Sequence, residues 1–306
     1  MRRFYLLLTI IVTLPIYGNV TIDDGNGEII QFADPQVKNL CVSKWDTNGD
    51  GELSKAEAAA VEGIKNDEFK GTTITSFDEL KYFTSLYYVQ GFTDCSNLES
   101  ISLPAYCMFI YPSAFQGCTN LKTINGLNSI EVIGQYAFAQ CSSIASVDLS
   151  SAKRINDGAF RDCAALSSVT FGKSLEVIER YTFNDCVALK SVIIPMSVKQ
   201  IGERPFTNCQ DLETIVVENG NEFYESPSGC NAIIEKSTNE LICGCKNTVI
   251  PNSVVSISDG AFECCSGLTS IEIPNSVVNI GMEAFSLCSG LTSIDLPESV
   301  KVIEES

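Results

Sequence analysis

A twelve-residue segment near the start of the chain carries oxygen-bearing side chains at regular spacing. It runs from position 46 to position 57 and reads DTNGDGELSKAE. The candidate ligands are Asp46, Asn48, Asp50, Glu52 (through its backbone carbonyl), Ser54 and Glu57. A glycine at position 51 permits the sharp turn that such a loop needs, and the final glutamate can bind with both carboxylate oxygens. Because Ca²⁺ takes six to eight hard oxygen ligands, the segment predicts a structural calcium site.

Signals for a helix start flank this loop on both sides. Asp34 followed by Pro35 is typical of a helix start, and residues 54–57 open an alanine-rich helix. The pattern resembles a single EF-hand or one half of a dockerin module. Dockerins carry two such loops and this chain has one, which argues against cohesin binding. We expect residues 19–65 to form a helix-loop-helix region in which the ion ties two helices onto the rest of the chain; a solvated turn without an ion is the alternative.

Composition excludes several other kinds of chemistry. The chain of 306 residues has 20 Lys and Arg against 38 Asp and Glu, a formal charge of −18. Such a field repels phosphate backbones, so nucleic acid is not an expected partner. The sequence contains no histidine, which removes hydrolases built on an imidazole base and all histidine-ligated metal sites.

The first residues predict the compartment. Arg2 and Arg3 precede an almost entirely apolar run over residues 4–16, followed by an acidic stretch. This is typical of a secretory signal peptide, which we place at residues 1–18, with an uncleaved membrane anchor as the alternative. We therefore expect a secreted or cell-surface protein with no membrane span after signal cleavage.

The rest of the chain is repetitive. The pair Phe-x-x-Cys recurs at Phe92/Cys95, Phe115/Cys118, Phe138/Cys141, Phe160/Cys163, Phe183/Cys186, Phe206/Cys209, Phe262/Cys265 and Phe285/Cys288. Successive pairs are 22 or 23 residues apart, except for one gap of 56 residues. Isoleucine, leucine and valine keep the same phase. A unit this short buries its apolar face only by stacking on its neighbours, so the period predicts a solenoid.

Each unit divides into a strand and a turn. The Leu-x-x-Ile-x-Leu segment alternates with period two, as in a short strand with Ile101 and Leu103 inward and Ser100 and Ser102 outward. We expect these strands to pair in parallel. Stretches such as residues 134–138 predict a single helical turn at the corner. The predicted fold class is therefore a β-rich solenoid of short parallel strands and single helical turns, preceded by the small helical calcium-loop region.

These residues resemble the BspA-type leucine-rich repeat of bacterial surface proteins, most clearly in the segment AFECCSGLTSIEIPNSV at positions 261–277. The resemblance covers residues 92–306. A variant repeat with a hairpin is expected near residues 219–250, and degenerate repeats at 66–91 are expected to cap the N-terminal end. We expect no C-terminal cap, and edge-to-edge self-association is a possible consequence.

Eight of the fourteen cysteines occupy one repeat phase. Equivalent positions in a solenoid stack about 5 Å apart with parallel side chains, which favours a buried ladder of free thiols over bridges between neighbours. A bridge from Cys230 to Cys243 or Cys245 is the one alternative retained. The sequence contains no Cys-x-x-Cys pair, so the cysteines do not indicate a metal site.

Outward strand positions suggest recognition instead of catalysis. A serine or threonine stands five residues after every ladder cysteine, but no base accompanies any of them. The position two residues later varies and is the predicted partner-binding row: Asp148, Thr170, Ile193, Val216, Glu272 and Asp295.

We expect a non-enzymatic, adhesin-like protein that presents this face to a protein or glycan. The family resemblance implies host extracellular matrix or other cells as partners. The alternatives are a structural spacer and, last, a glycan hydrolase using Asp148 with Asp162.

Overall fold

The computed structural model describes residues 22–23, 27–65 and 67–304. Over most of this length the chain forms a solenoid whose strands pair with the equivalent strands of neighbouring coils. The predicted parallel β-solenoid is therefore confirmed. The predicted signal peptide, residues 1–18, lies outside the described residues.

Two α-helices precede the solenoid, α1 (Pro35–Trp45) and α2 (Lys55–Ala60), and two 3-10 helices lie at Asp78–Tyr82 and Leu127–Ser129. None of the helices in the described ranges is long and apolar enough to cross a membrane. The strands, all short, are in chain order β1 (Ile22–Asp23), β2 (Gly27–Glu28), β3 (Ser76–Phe77), β4 (Tyr88–Val89), β5 (Ser100–Ser102), β6 (Phe109–Ile110), β7 (Thr123–Asn125), β8 (Val132–Ile133), β9 (Ser146–Leu149), β10 (Arg154–Ile155), β11 (Ser168–Phe171), β12 (Val177–Ile178), β13 (Ser191–Ile194), β14 (Gln200–Ile201), β15 (Thr214–Val217), β16 (Tyr224–Glu225), β17 (Ala232–Glu235), β18 (Glu240–Gly244), β19 (Ser256–Ile257), β20 (Asn279–Ile280) and β21 (Val302–Ile303).

The predicted strands form three short sheets instead of one continuous sheet. Parallel pairing joins β3, β5 and β7, then β9 with β11, then β13 with β15. The 3-10 helix at Leu127–Ser129 packs against β9 and fills the break after β7. In the last two copies, residues 270–273 and 293–296 are not assigned as strands.

A second sheet runs along another side of the solenoid and was not predicted. It contains β4, β6, β8, β10, β12 and β14, all parallel, and we call it the long sheet. Each strand is only two residues long and ends on an inward valine or isoleucine. Two residues are too few to display an alternating pattern, so the sequence carried no period-two signal for this sheet.

A column of stacked phenylalanines fills the centre of the solenoid. Neighbouring ring centroids lie 4.9 to 5.6 Å apart in the order Phe69, Phe92, Phe115, Phe138, Phe160, Phe183 and Phe206. We call these seven residues the phenylalanine column, and all are buried. Phe69 extends the column one coil further than the Phe-x-x-Cys pattern indicates. The pattern does not include Phe69 because Thr72 stands where the other coils have a cysteine.

The corner turns are held by hydrogen bonds both within and between coils. Within a coil they have i to i−3 spacing, as from the Cys141 amide to the Phe138 carbonyl at 3.1 Å. Between coils, the Phe115 amide donates to the Ala137 carbonyl at 2.8 Å. A Cβ atom on Gly134 would lie 2.5 Å from the Pro112 nitrogen of the preceding coil, so this corner requires glycine. The predicted single helical turns are therefore 3-10 turns. Hydrogen bonds between the turns of neighbouring coils form a further ladder along the solenoid.

The variant repeat contains the expected hairpin and interrupts the core. Strands β17 and β18 pair antiparallel, and β18 continues in parallel with β19, β20 and β21. Buried residues fall into two hydrophobic clusters that meet at this hairpin. Beyond it the rings of Phe262 and Phe285 form a separate stacked pair at 5.1 Å.

Asp34 joins helix α1 to the first coil. One carboxylate oxygen caps the helix by accepting from the amides of Gln36 and Val37, at 2.8 and 3.4 Å. The other accepts from the Thr75 amide at 2.6 Å and its hydroxyl at 3.0 Å. Burial alone would raise the pKa of Asp34, but these hydrogen bonds outweigh it and lower the pKa.

Replacing a ring in the middle of the phenylalanine column should destabilise the protein strongly. We expect Phe138→Ala to lower the free energy of unfolding by about 3–5 kcal/mol, since the fully buried ring leaves a cavity between two neighbours. Phe223, which is 44% exposed, provides the control, and Phe223→Ala should cost no more than about 0.5 kcal/mol. Urea denaturation measures both values, and equal losses would contradict the stacked interior.

The Asp34 contacts should make stability depend on pH in the acidic range. Because the pKa is lower in the folded state, the carboxylate stabilises the fold above about pH 4, and this contribution is lost as the pH falls. Asp34→Ala should cost about 1–2 kcal/mol near pH 7, and less at pH 2–3. Asp34→Asn keeps a helix cap without the charge and should cost less. Thermal melts from pH 2 to 7 test this; a pH-independent difference between wild type and Asp34→Ala would refute it.

Candidate functional site

The predicted partner-binding row lies on the solvent side of the short sheets. All six of its residues are exposed: Asp148, Thr170, Ile193, Val216, Glu272 and Asp295. Pairing of β9 with β11 places Asp148 beside Thr170, and pairing of β13 with β15 places Ile193 beside Val216. The structure therefore brings the first four of these residues together in pairs. Residues 217–271 separate Val216 from Glu272 in the chain and contain the variant hairpin.

On the N-terminal side of the partner-binding row, the outward face of β5 is covered. Asp78 accepts hydrogen bonds from the hydroxyls of Ser100 and Ser102, both at 2.9 Å, and Asn125 donates to the Ser102 hydroxyl. Ser102 is only 6% exposed. Ser102 lies on the outward face beside the exposed Asn125 but is not open to solvent, because Asp78 of the 3-10 helix covers it.

Ile193 and Val216 form an exposed apolar pair, 58% and 39% exposed. Met196, in the coil of Ile193, is 52% exposed and stands where later repeats carry Asn252, Asn275 and Glu298. Aliphatic side chains placed side by side in water lose the free energy that burial would provide, about 25 cal/mol per Å². The pair therefore gains stability when another apolar surface covers it.

Glu272 lines a groove of about 660 Å³ between residues 248–252 and 270–274. Val249, on the wall of this groove, is 66% exposed. It was missed at the sequence level because the longer variant repeat breaks the 23-residue register. The hairpin thus adds a second exposed apolar position near the predicted row.

The hydroxyl row has the geometry of a surface ladder. All its members except Ser100 are exposed: Thr123, Ser146, Ser168, Ser191 and Thr214 on strands, and Ser270 and Ser293 in segments without strand pairing. The carboxylates proposed for hydrolysis lie on different elements, Asp148 on β9 and Asp162 in the turn before Cys163. Burial and the neighbouring Asp185 carboxylate raise the pKa of Asp162. The carboxylate that neighbours Asp162 is thus that of Asp185, in the next coil.

All fourteen cysteines lie in the described part of the chain and are free thiols, including Cys230, Cys243 and Cys245. Six consecutive ladder thiols donate to the phenylalanine carbonyl of the preceding coil at 2.9 to 3.2 Å, from Cys95 to Phe69 through Cys209 to Phe183. Burial raises the pKa of Cys95 to about 11. The predicted ladder of reduced thiols is confirmed, and these buried thiols are not nucleophiles at neutral pH.

The predicted calcium loop lies between α1 and α2, and its first half is exposed. Asp46 accepts from the amides of Gly49 and Gly51 at 2.7 and 2.9 Å. Asn48 accepts from the Asp50 amide at 2.9 Å, and Asp50 accepts from the Glu52 amide at 2.8 Å. Carboxylate and amide oxygens are the hard donors that Ca²⁺ prefers, so the donor chemistry of this half of the loop suits a cation.

Glu57 joins the two ends of the loop. One of its carboxylate oxygens accepts from the Thr47 amide and hydroxyl, at 2.7 and 2.8 Å. The other accepts from the Ser54 amide and hydroxyl, both at 2.9 Å. Among the described residues no group of three or more acidic, histidine or cysteine side chains is arranged to hold a metal. To hold an ion, the loop side chains, Glu57 and Ser54 among them, would therefore exchange internal hydrogen bonds for it.

The repeats identify the family. The BspA-type leucine-rich repeat region, in six copies, matches residues 62–186, 149–238 and 233–306. The chain belongs to the BspA-type leucine-rich repeat family. This match includes the coil of Phe69, which the Phe-x-x-Cys spacing did not reveal. None of the proteins with curated descriptions matches the sequence.

Two crystal structures resemble this BspA-type chain. A leucine-rich cell surface protein from Faecalibacterium prausnitzii is 29% identical, with a TM-score of 0.62 over 71% of this chain and 60% of its own. The pneumococcal vaccine antigen PcpA is 25% identical, with a TM-score of 0.59 over 75% of this chain and 58% of its own. The present chain thus matches about three fifths of the length of each. Both likenesses support the repeat fold of this chain.

Proposed function

We propose that this protein is a secreted or cell-surface adhesin-like protein whose apolar pair, Ile193 and Val216, anchors a protein partner. The exposure of these two aliphatic side chains on paired strands is the observation that carries the proposal. A solenoid presents such positions on an extended surface that needs no catalytic group. The membership of the BspA-type family and the likeness to a cell surface protein support the location.

Charge suggests the character of the partner. The chain carries a formal charge of −18, and the partner-binding row itself includes Asp148, Glu272 and Asp295. Complementary potentials accelerate association, so a protein with a basic rim around an apolar centre fits this face best. Extracellular-matrix proteins are the class we propose to test. A structural spacer would have no such partner.

Binding to an array of extracellular-matrix proteins tests the proposal. The double variant Ile193→Ser, Val216→Ser should bind at least tenfold more weakly than wild type, because buried anchors dominate interface energy. Val255→Ser, at a valine outside the row that is 39% exposed, is the matched control and should bind as wild type does. Equal binding by all three proteins would reject the apolar pair as the anchor, and no binding by wild type would favour the spacer.

We also propose a structural Ca²⁺ ion in the loop 46–57. Asp46, Asn48 and Asp50 would supply side-chain oxygens, Glu52 its backbone carbonyl, Ser54 its hydroxyl or a bridging water, and Glu57 its carboxylate. Support comes from the position of the loop between α1 and α2 and from Asp34, which joins α1 to the first coil. Bound there, the ion would stiffen the segment that covers the N-terminal end of the solenoid.

Calorimetric titration with Ca²⁺ and melting temperature measure this directly. Wild type should release or absorb heat on Ca²⁺ addition and melt several degrees higher with the ion, since ligands that bind only the folded state stabilise it. Asp50→Ala should abolish both effects. Lys38→Ala, which removes only the 2.6 Å contact with the Glu52 side chain, should preserve them. A wild type with neither heat nor a melting shift would contradict the calcium proposal.

A further inference from the structure

Four aromatic side chains form one exposed surface at the N-terminal end of the long sheet. Tyr87 and Tyr88 belong to the first coil of that sheet, and Phe109 and Tyr111 to the second. Strand pairing places Tyr88 directly beside Phe109. The rings of Tyr87 and Phe109 lie 4.9 Å apart, and those of Tyr88 and Tyr111 lie 4.4 Å apart. We call these four residues the aromatic surface.

The aromatic surface is open to solvent. Tyr87 is 50% exposed and Tyr111 is 43% exposed, while Tyr88 and Phe109 are partly exposed. Large apolar groups clustered on a surface are the informative exception in soluble proteins, because isolated ones are normal. Two such ring pairs on adjacent strands therefore call for a physical reason beyond folding.

The position of Tyr87 carries, in later coils, charged residues that pair with one another. Backbone hydrogen bonds link Tyr87 successively to Met108, Glu131, Lys153, Glu176 and Lys199 in adjacent coils. Lys153 pairs with Glu131 at 2.8 Å, and Lys199 with Glu176 at 3.0 Å. The charged side chains of this column are thus paired with one another along the long sheet. In the first two coils this column holds the uncharged residues Tyr87 and Met108 instead.

We propose that the aromatic surface is a binding site for neutral carbohydrate. A hexopyranose ring presents a face of C–H groups with positive polarity, which suits the negative face of an aromatic ring. The hydroxyls of Tyr87, Tyr88 and Tyr111 can both donate and accept hydrogen bonds, as sugar hydroxyls require. None of the four side chains is charged, so nothing in the aromatic surface itself demands an ionic ligand.

The exposed area of the aromatic surface fits a carbohydrate better than a protein partner. A wholly buried aromatic side chain covers about 150–250 Å², and these four are at most about half exposed. Their combined free surface is therefore on the order of 300–400 Å². A stable protein interface needs about 800 Å² on each partner. The aromatic surface thus has the extent of a few sugar rings, whereas a second copy of this chain would need roughly twice that contact.

The negative charge of the molecule narrows the ligand further. Surfaces with a formal charge of −18 repel anionic polymers at low ionic strength. Uronic acids and sulfated sugars are accordingly disfavoured. This site lies on the long sheet, on residues distinct from Ile193 and Val216 of the short sheets, so it can fail or hold independently of the protein-binding proposal.

Saturation-transfer NMR with cellohexaose, maltohexaose and laminarihexaose tests the site on the full chain. At least one of these neutral oligosaccharides should bind wild type in the millimolar range or tighter. Tyr87→Ala combined with Tyr111→Ala should weaken that binding at least tenfold. Phe223→Ala, which removes an exposed ring elsewhere, should leave it unchanged. Circular dichroism and the melting temperature of each variant establish that it is folded, and Tyr111→Phe, which keeps the ring, should retain most of the binding.

Three results would overturn the proposal. The first is no binding of any of the three oligosaccharides by wild type at millimolar concentration. The second is binding that the double tyrosine variant retains in full. The third is self-association of wild type in sedimentation experiments that the double tyrosine variant abolishes, because the aromatic surface would then be occupied by a second copy of the chain.

Discussion

Stacking between coils is the constraint on which the rest of this structure depends. A coil of 22 or 23 residues cannot enclose a core alone, so its apolar residues must be covered by those of the coils on either side. The phenylalanine column shows how this happens, with neighbouring rings such as Phe138 and Phe160 separated by 5.2 Å. That distance is close to the 4.7–4.9 Å spacing of hydrogen-bonded strands. Rings and strands therefore share one repeat distance.

The cysteine ladder follows from the same constraint. The Phe92 carbonyl accepts the Cys95 amide of its own turn and also the Cys118 thiol of the next coil, at 3.2 and 3.1 Å. A buried carbonyl with a second lone pair is better satisfied by a thiol than by a methyl group. Cysteine thus combines small apolar volume with a weak donor. Once these inward positions are committed, outward positions such as those of Ile193 and Val216 are free to vary.

Sequence periodicity predicted the features that repeat with large side chains. The Phe-x-x-Cys spacing predicted the stacked interior, the free thiols and the variant hairpin. It did not predict the long sheet, because two-residue strands show no alternation, or Phe69, because Thr72 replaces the cysteine. Outward positions were predicted from alternation alone, which cannot anticipate that Asp78 covers Ser102. The aromatic surface was invisible for a similar reason: Tyr88 and Phe109 become neighbours only through pairing of β4 with β6.

Hydrogen exchange measured by mass spectrometry on Phe160→Ala tests the stacked, one-dimensional architecture most directly. If each coil is stabilised by its neighbours, exchange should accelerate most in the coils of Phe138, Phe160 and Phe183. The effect should fade along the chain and leave α1 and the coil of Phe285 near wild-type rates. Equal acceleration throughout the chain would contradict the account, because it would mean that the coils share a single globular core.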